Sequence, residues 1–145
     1  MVNIFIVLPV YNEEKQLAAS VNMLIAFLKK SKFPYRYTVC IADNASIDAT
    51  QRIGTSLART LKHVQYLRIN RKGRGFALRT AWCTAKKYAC VCYMDIDLST
   101  DLKHFRTLVD AIIVEKYDFA TGNRIGKDSF VEKRPFSREL FSRTY

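Results

Sequence analysis

Residues 93–100 read Tyr-Met-Asp-Ile-Asp-Leu-Ser-Thr. Asp95 and Asp97 are separated by one residue, behind the apolar run Ala89-Cys90-Val91-Cys92-Tyr93-Met94. Such a run has the makings of a buried strand. Two carboxylates at the end of one repel each other and lose hydration. A divalent cation bound through oxygen would compensate both. Pairing with one of the chain's many Lys and Arg residues would serve as well, and Asp-x-Asp alone does not choose between them.

Other groups with chemical potential stand at similar positions. Tyr11, after the run Asn3–Leu8, offers a flat ring that can stack on a planar ligand. Asp43, after the run Tyr37–Ala42, can accept hydrogen bonds from the N–H of a base. Lys72-Gly73-Arg74-Gly75 follows Val64–Ile69. It reads as a tight turn into a helix or as a phosphate-facing loop at a helix N-terminus. It is no dinucleotide fingerprint, because Leu78 stands where the third glycine belongs. Arg124, Arg134, Arg138 and Arg143 crowd the last stretch.

The elements that must position these groups alternate. Apolar runs at 3–8, 37–42, 64–69 and 89–94 predict strands, and 118–122 a fifth. Between them, helical spacing joins Leu17, Val21, Leu24, Ile25 and Leu28, then Ile53, Leu57 and Leu61, then residues 75–87. After the fourth strand it joins Leu102, Phe105, Leu108, Val109, Ile112 and Ile113. Asn12, Asp48 and Asp101 are the expected helix caps, and Pro135 is the expected start of a last helix. The fold class expected is α/β: three layers, a mainly parallel sheet with helices on both faces. Ligands bind such sheets at the carboxyl ends of the strands. The polar clusters at Pro9–Asn12, Asp43–Ser46, Asn70–Arg74, Asp95–Asp97 and Asn123–Arg124 all fall at those ends.

With 145 residues, 49% of them hydrophobic, the chain is read as one domain, residues 1–145, with a real core. Its net charge of +11 is concentrated in residues 51–100, which hold ten basic and two acidic side chains. That field suits a polyanion: nucleic acid, anionic lipid or a phosphorylated small molecule. No reading helix, zinc module or RNA-binding aromatic signature supports nucleic acid, so a basic nucleic-acid-binding protein is the alternative reading. The four cysteines form no CxxC pair, and Cys90 and Cys92 read as small buried hydrophobes. No run approaches a membrane span.

Five segments together resemble a known family. They are Leu8-Pro9-Val10-Tyr11-Asn12-Glu13-Glu14, Asp43-Asn44-Ala45-Ser46-Ile47-Asp48-Ala49-Thr50, Lys72-Gly73-Arg74-Gly75, Asp95-Ile96-Asp97-Leu98-Ser99-Thr100 and Thr121-Gly122-Asn123-Arg124. In order and spacing the chain resembles the inverting family 2 glycosyltransferases of GT-A fold. Within them it is most similar to the dolichyl- and polyprenyl-phosphate hexosyltransferases. The resemblance implies transfer of glucose or mannose from a nucleoside diphosphate sugar, such as UDP-glucose or GDP-mannose, to a polyprenyl phosphate with inversion. It implies that Pro9, Tyr11 and Glu13 frame base and ribose, that Asp43 bonds the base, and that Lys72 and Gly73 lie beside the nucleotide. Asp95 would be shared between ribose and metal, and Asp97 would be the direct ligand of Mg2+ or Mn2+. Arg124 and Arg138 would take phosphates, and with the two aspartates they form the expected catalytic set.

Two positions depart from the family pattern. Ser99 stands where some relatives carry a glutamine ligand, and Asn123 replaces a serine. The resemblance also implies a domain that continues beyond Tyr145, so a chain truncated on its acceptor side is expected. Such a chain would bind donor yet be catalytically incomplete. The basic excess fits peripheral contact with an anionic membrane on its cytoplasmic side.

Overall fold

The computed structural model describes residues 2–122. Four strands and four helices alternate: β1 (Asn3–Val10), α1 (Leu17–Lys30), β2 (Arg36–Asn44), α2 (Thr50–Thr60), β3 (Val64–Ile69), α3 (Arg74–Cys83), β4 (Cys90–Tyr93) and α4 (Phe105–Ile113). A 3-10 turn over Leu102–His104 leads into α4. All strand pairs are parallel, in the spatial order β3-β2-β1-β4.

The order explains the layers. The chain steps from β1 to β2 to β3 in one direction, then returns across the sheet to β4. Right-handed crossovers therefore put α1 and α2 on one face and α3 on the other. Side chains of β1 alternate accordingly. Ile4, Ile6, Leu8 and Val10 pack with Leu17, Val21 and Leu24 of α1, Leu57 of α2, and Phe105 and Val109 of α4. Phe5 and Val7 pack with Ala77, Leu78 and Ala81 of α3. Both faces of β1 are covered, which is why its sequence is apolar without alternation. α1 forms because its apolar residues recur on one face. Lys29 and Lys30 close its last turn, where the helix dipole favours cations. Burial of one such side chain, Leu24 for example, contributes about 1.5–3 kcal/mol.

The reversal of winding falls between β1 and β4. A parallel sheet opens a crevice at such a switch point, outside the carboxyl ends of the two strands. Here those ends are Val10-Tyr11 and Tyr93-Met94-Asp95. The tertiary structure thus places the Asp95-Ile96-Asp97 triplet beside Tyr11.

Three expected boundaries differ. Asn12 does not cap α1, which begins at Leu17. Asn12 takes a left-handed backbone (φ 56°) and its side chain is spent on another loop. α3 ends at Cys83 rather than Lys87. Residues 118–122 form no strand, and Phe119 is 79% exposed. That run carries one large apolar side chain beside Asp118, too little to hold an extended segment against the sheet. The predicted helix at Pro135 lies outside the described residues. Among the described residues no helix is long and apolar enough to cross a membrane.

Candidate functional site

The site is a cleft of about 300 Å³ at the switch point. Pro9, Val10, Tyr11, Glu13 and Gln16 line one side, Asp95, Ile96 and Asp97 the other, and Asn44 and Arg74 complete it. A larger hollow of about 550 Å³ lies along α2, lined by Asp48, Gln51, Arg52, Thr55, Ser56 and Arg59. It is an open depression beside one helix, with no strand end. The cleft is the better site, because side chains from three strand ends converge there.

Hydrogen bonds between loops build the cleft. The loops after β1 and β2 are laced together. Asn12 N–H donates to Ser46 Oγ (2.9 Å), Glu13 N–H to Thr50 Oγ1 (2.8 Å) and Glu14 N–H to Asp48 Oδ2 (3.2 Å). In return Ile47 N–H donates to Asn12 Oδ1 (2.9 Å) and Ala49 N–H to Glu14 Oε2 (3.0 Å). Asp48 Oδ1 also accepts from Thr50 N–H (2.9 Å), although the N-cap of α2 is Ala49 and not the expected Asp48. The loop after β3 joins through Gly73 N–H, which donates to Asn44 Oδ1 (2.7 Å). Gly73 has φ 148°, a conformation open only to glycine.

Beneath these loops lies a buried ion pair. Asp43 is 0% exposed. Its carboxylate accepts from Ser46 N–H (2.9 Å), from the Tyr66 hydroxyl and from Arg68 Nη1 (2.7 Å). Arg68 Nη2 also donates to the Ser46 carbonyl (2.9 Å). Burial pushes the Asp43 carboxyl up, but the bonds from Ser46, Tyr66 and Arg68 outweigh it and hold it below the ordinary carboxylate value. Burial, and then the Asp43 bond, push the Tyr66 phenol up.

The fourth strand end is tied by charge. Arg74 Nη2 donates to Asp95 Oδ1. Asp97 is exposed and accepts Ser99 N–H with Oδ1 (3.0 Å). Lys72 Nζ lies 4.1 Å from the centre of the Tyr11 ring, within cation–π range.

Of the residues singled out from sequence, Pro9, Tyr11, Glu13, Asp95 and Asp97 line the cleft. Lys72 reaches its rim through Tyr11, and Gly73 supports it through Asn44. Asp43 does not line it: its oxygens are engaged below the floor, where they brace β2 against β3. Ser99 gives its backbone N–H to Asp97 and stands exposed. Arg124 and Arg138 lie outside the described residues.

Reading the sequence missed Arg68, Tyr66, Gln16 and the bracing role of Asn44. Arg68 stands directly opposite Asp43 in the β2–β3 register, and Tyr66 is two residues away on the same face. A Tyr-x-Arg pair on a strand beside one that ends in an acid was the available signal.

Whether these residues suit a divalent cation follows from their donors. Among the described residues no group of three His, Cys, Asp or Glu side chains gathers, so no all-protein cage exists. Two hard carboxylates, Asp95 and Asp97, lining an open cleft do fit an ion of the Mg2+ or Mn2+ kind, which takes few protein ligands and fills its shell with water and phosphate oxygens.

Comparison with known proteins agrees with this geometry. The family described as glycosyl transferase family 2 matches residues 5–144. The chain is 34% identical over 145 residues to "Glycosyltransferase AglD" of Haloferax volcanii, a match covering 99% of the chain and 23% of that protein. It is 29% identical over 147 residues to "Dolichyl-phosphate beta-glucosyltransferase" of Dictyostelium discoideum, covering 93% of the chain and 44% of that protein. The chain thus spans less than half the length of these relatives. It belongs to glycosyl transferase family 2.

Proposed function

We propose that this family 2 chain carries the donor side of a transferase. The enzyme would move a hexose from a nucleoside diphosphate sugar to a polyprenyl phosphate, with inversion and the help of a divalent cation. The observation that carries the reading is the cleft itself. A flat ring, two carboxylates and two flanking cations meet at the switch point, held by loops bonded to one another. The lipid-phosphate acceptor is supported by the dolichyl-phosphate glucosyltransferase among the relatives.

Each residue has work in this reading. Tyr11 offers its ring to the base, and Glu13 and Asp95 their oxygens to the ribose hydroxyls. Lys72 and Arg74 meet the diphosphate, Arg74 with a fork that suits two phosphate oxygens. Asp97, Asp95 and the Ser99 hydroxyl would hold the cation, which when bound neutralises charge developing on the diphosphate leaving group. An acceptor phosphate is already ionised near neutral pH and needs no strong general base. Neither histidine lines the cleft: His63 precedes β3 and His104 lies in the turn before α4. Arg124 and Arg138 are assigned to phosphates on the resemblance alone, and the anionic-membrane contact on charge.

Calorimetric titration of UDP-glucose and GDP-mannose, with and without Mn2+, tests the reading. One donor should bind in a cation-dependent way. Asp97→Asn should remove that dependence while leaving the melting temperature within about 2 °C, since Asp97 is an exposed loop residue. Equal donor affinity with and without Mn2+ would sink the cation assignment. Binding of generic RNA with a steep salt dependence, and no donor binding, would favour the nucleic-acid alternative.

A further inference from the structure

Two of the three cations that follow β3, Lys72 and Arg74, already occupy the places that the donor complex needs. Lys72 sits over the Tyr11 ring, and Arg74 sits on Asp95. Between them Gly73 is pinned: its N–H is held by Asn44 and its carbonyl accepts the Ala77 N–H of α3. The backbone between the two cations is therefore fixed, and only their side chains can leave. Arg74 is held by two surface contacts, its pair with Asp95 and the Tyr93 ring, 5.5 Å from its Cζ. It is 55% exposed and Asp95 40% exposed, and an exposed pair of this kind is easily given up for a better partner.

We propose that Arg74 is a specificity-determining residue that makes cation binding at Asp95 conditional on an anionic ligand. The inference rests on the donor reading above. Paired with Arg74, Asp95 is neutralised, so a lone divalent cation meets one free carboxylate instead of two. A diphosphate offers the guanidinium two parallel acceptors in place of one carboxylate oxygen. When Arg74 turns to it, Asp95 is uncovered and the cation site gains its second carboxylate. Lys72 makes the same exchange in parallel: a planar base takes the ring, and the ammonium goes to phosphate. The cleft thus discriminates against free metal and against neutral sugars, and accepts a nucleoside diphosphate and a cation together.

The test compares the full chain with Arg74→Ala and Arg74→Lys by calorimetry. The titrants are MnCl2 alone, UDP or GDP alone, and each in the presence of the other. In the unaltered chain the nucleotide should tighten Mn2+ binding tenfold or more. Arg74→Ala should bind Mn2+ alone about fivefold more tightly, the worth of an exposed ion pair, and should bind nucleotide more weakly. The mutual enhancement should shrink accordingly. Arg74→Lys, which keeps the charge without the fork, should fall between. Circular dichroism reports folding, and with Arg74 on the surface all variants should match the parent. Unchanged affinity of Arg74→Ala for Mn2+ alone would overturn the proposal. If no nucleotide binds the unaltered chain but Arg74→Ala still gains Mn2+, the donor reading falls, and the anion half of this proposal with it. The competition at Asp95 would then stand.

Discussion

Replacing Asp43 by Asn removes one charge from a fully buried position beneath the site. The carboxylate is 0% exposed and accepts three hydrogen bonds. Asparagine keeps the shape but has one acceptor oxygen. If that oxygen stays on Ser46 N–H, the amide NH2 faces Arg68 Nη1, donor against donor. Tyr66 can turn its hydroxyl round to accept, but Arg68 cannot. Losing a hydrogen bond to a charged group costs about 1.5–3 kcal/mol. Arg68 is 29% exposed and can recover part of this from water. The expected loss is about 2–3 kcal/mol at pH 7, a large share of the ~5–15 kcal/mol that holds a domain of this size together.

The pH dependence is the sharper test of that loss. Asp43 has its folded-state value lowered, so its contribution is fully present above the unfolded carboxyl value of about 3.9 and fades as pH falls through the folded one. The gap between the two proteins in urea unfolding should therefore be constant from pH 7 to about 5 and close in stronger acid. A gap below about 0.5 kcal/mol at pH 7, or one of the same size at pH 7 and pH 2.5, would refute the reasoning.

Two other substitutions probe the same scaffold. A Cβ on Gly54 of α2 would stand 2.5 Å from Tyr66 Cδ2, so Gly54→Ala must push the ring off Asp43; overpacking of this kind costs about 1–3 kcal/mol, to be read as a lowered urea midpoint at unchanged slope. Ala45 holds φ 61° in the loop after β2, a left-handed conformation that costs a residue with a Cβ about 1 kcal/mol. Ala45→Gly should therefore stabilise the chain by roughly 0.5–1 kcal/mol, and a lowered melting temperature would count against that strain.

What sequence could reveal here divides along physical lines. β1 and α1 were legible because each meets one simple demand. β1 is covered on both faces, and α1 on one, so their apolar periods are clean. The polar clusters were legible because a parallel sheet gathers its strand ends whatever the strand order. Strand order was not legible, and it is what sets Asp95 beside Tyr11 rather than beside Asp43. Register was not legible either. Arg68 pairs with Asp43 because β2 and β3 align Val39 with Val64, and nothing local in either strand states that offset. Asn12 illustrates a third limit. Its type and place suit a helix cap, yet a nearby loop, 35 residues on in sequence, offered its oxygen a better donor in Ile47 N–H. Residues 118–122 illustrate a fourth, since strand character there needed a neighbour that so short an apolar run does not secure.

The charge distribution takes on a different meaning once the partners are known. Residues 51–100 carry ten basic and two acidic side chains, and as sequence this reads as a field awaiting a polyanion. Three of those cations have partners in or under the site. Arg68 is committed to buried Asp43, a fixed structural use. Arg74 and Lys72 are held by an exposed carboxylate and a ring face, both interactions of modest strength. The difference in burial is what separates a brace from a ligand-binding group. A pair whose carboxylate is fully buried under three hydrogen bonds costs about 2–3 kcal/mol to break, whereas a pair at the rim of a cleft exchanges partners readily. The Asp95-Ile96-Asp97 triplet therefore admits both explanations its sequence allowed. Asp95 is satisfied by Arg74, and in the proposed exchange the weakness of that pair leaves it available to a cation once a phosphate draws the arginine away.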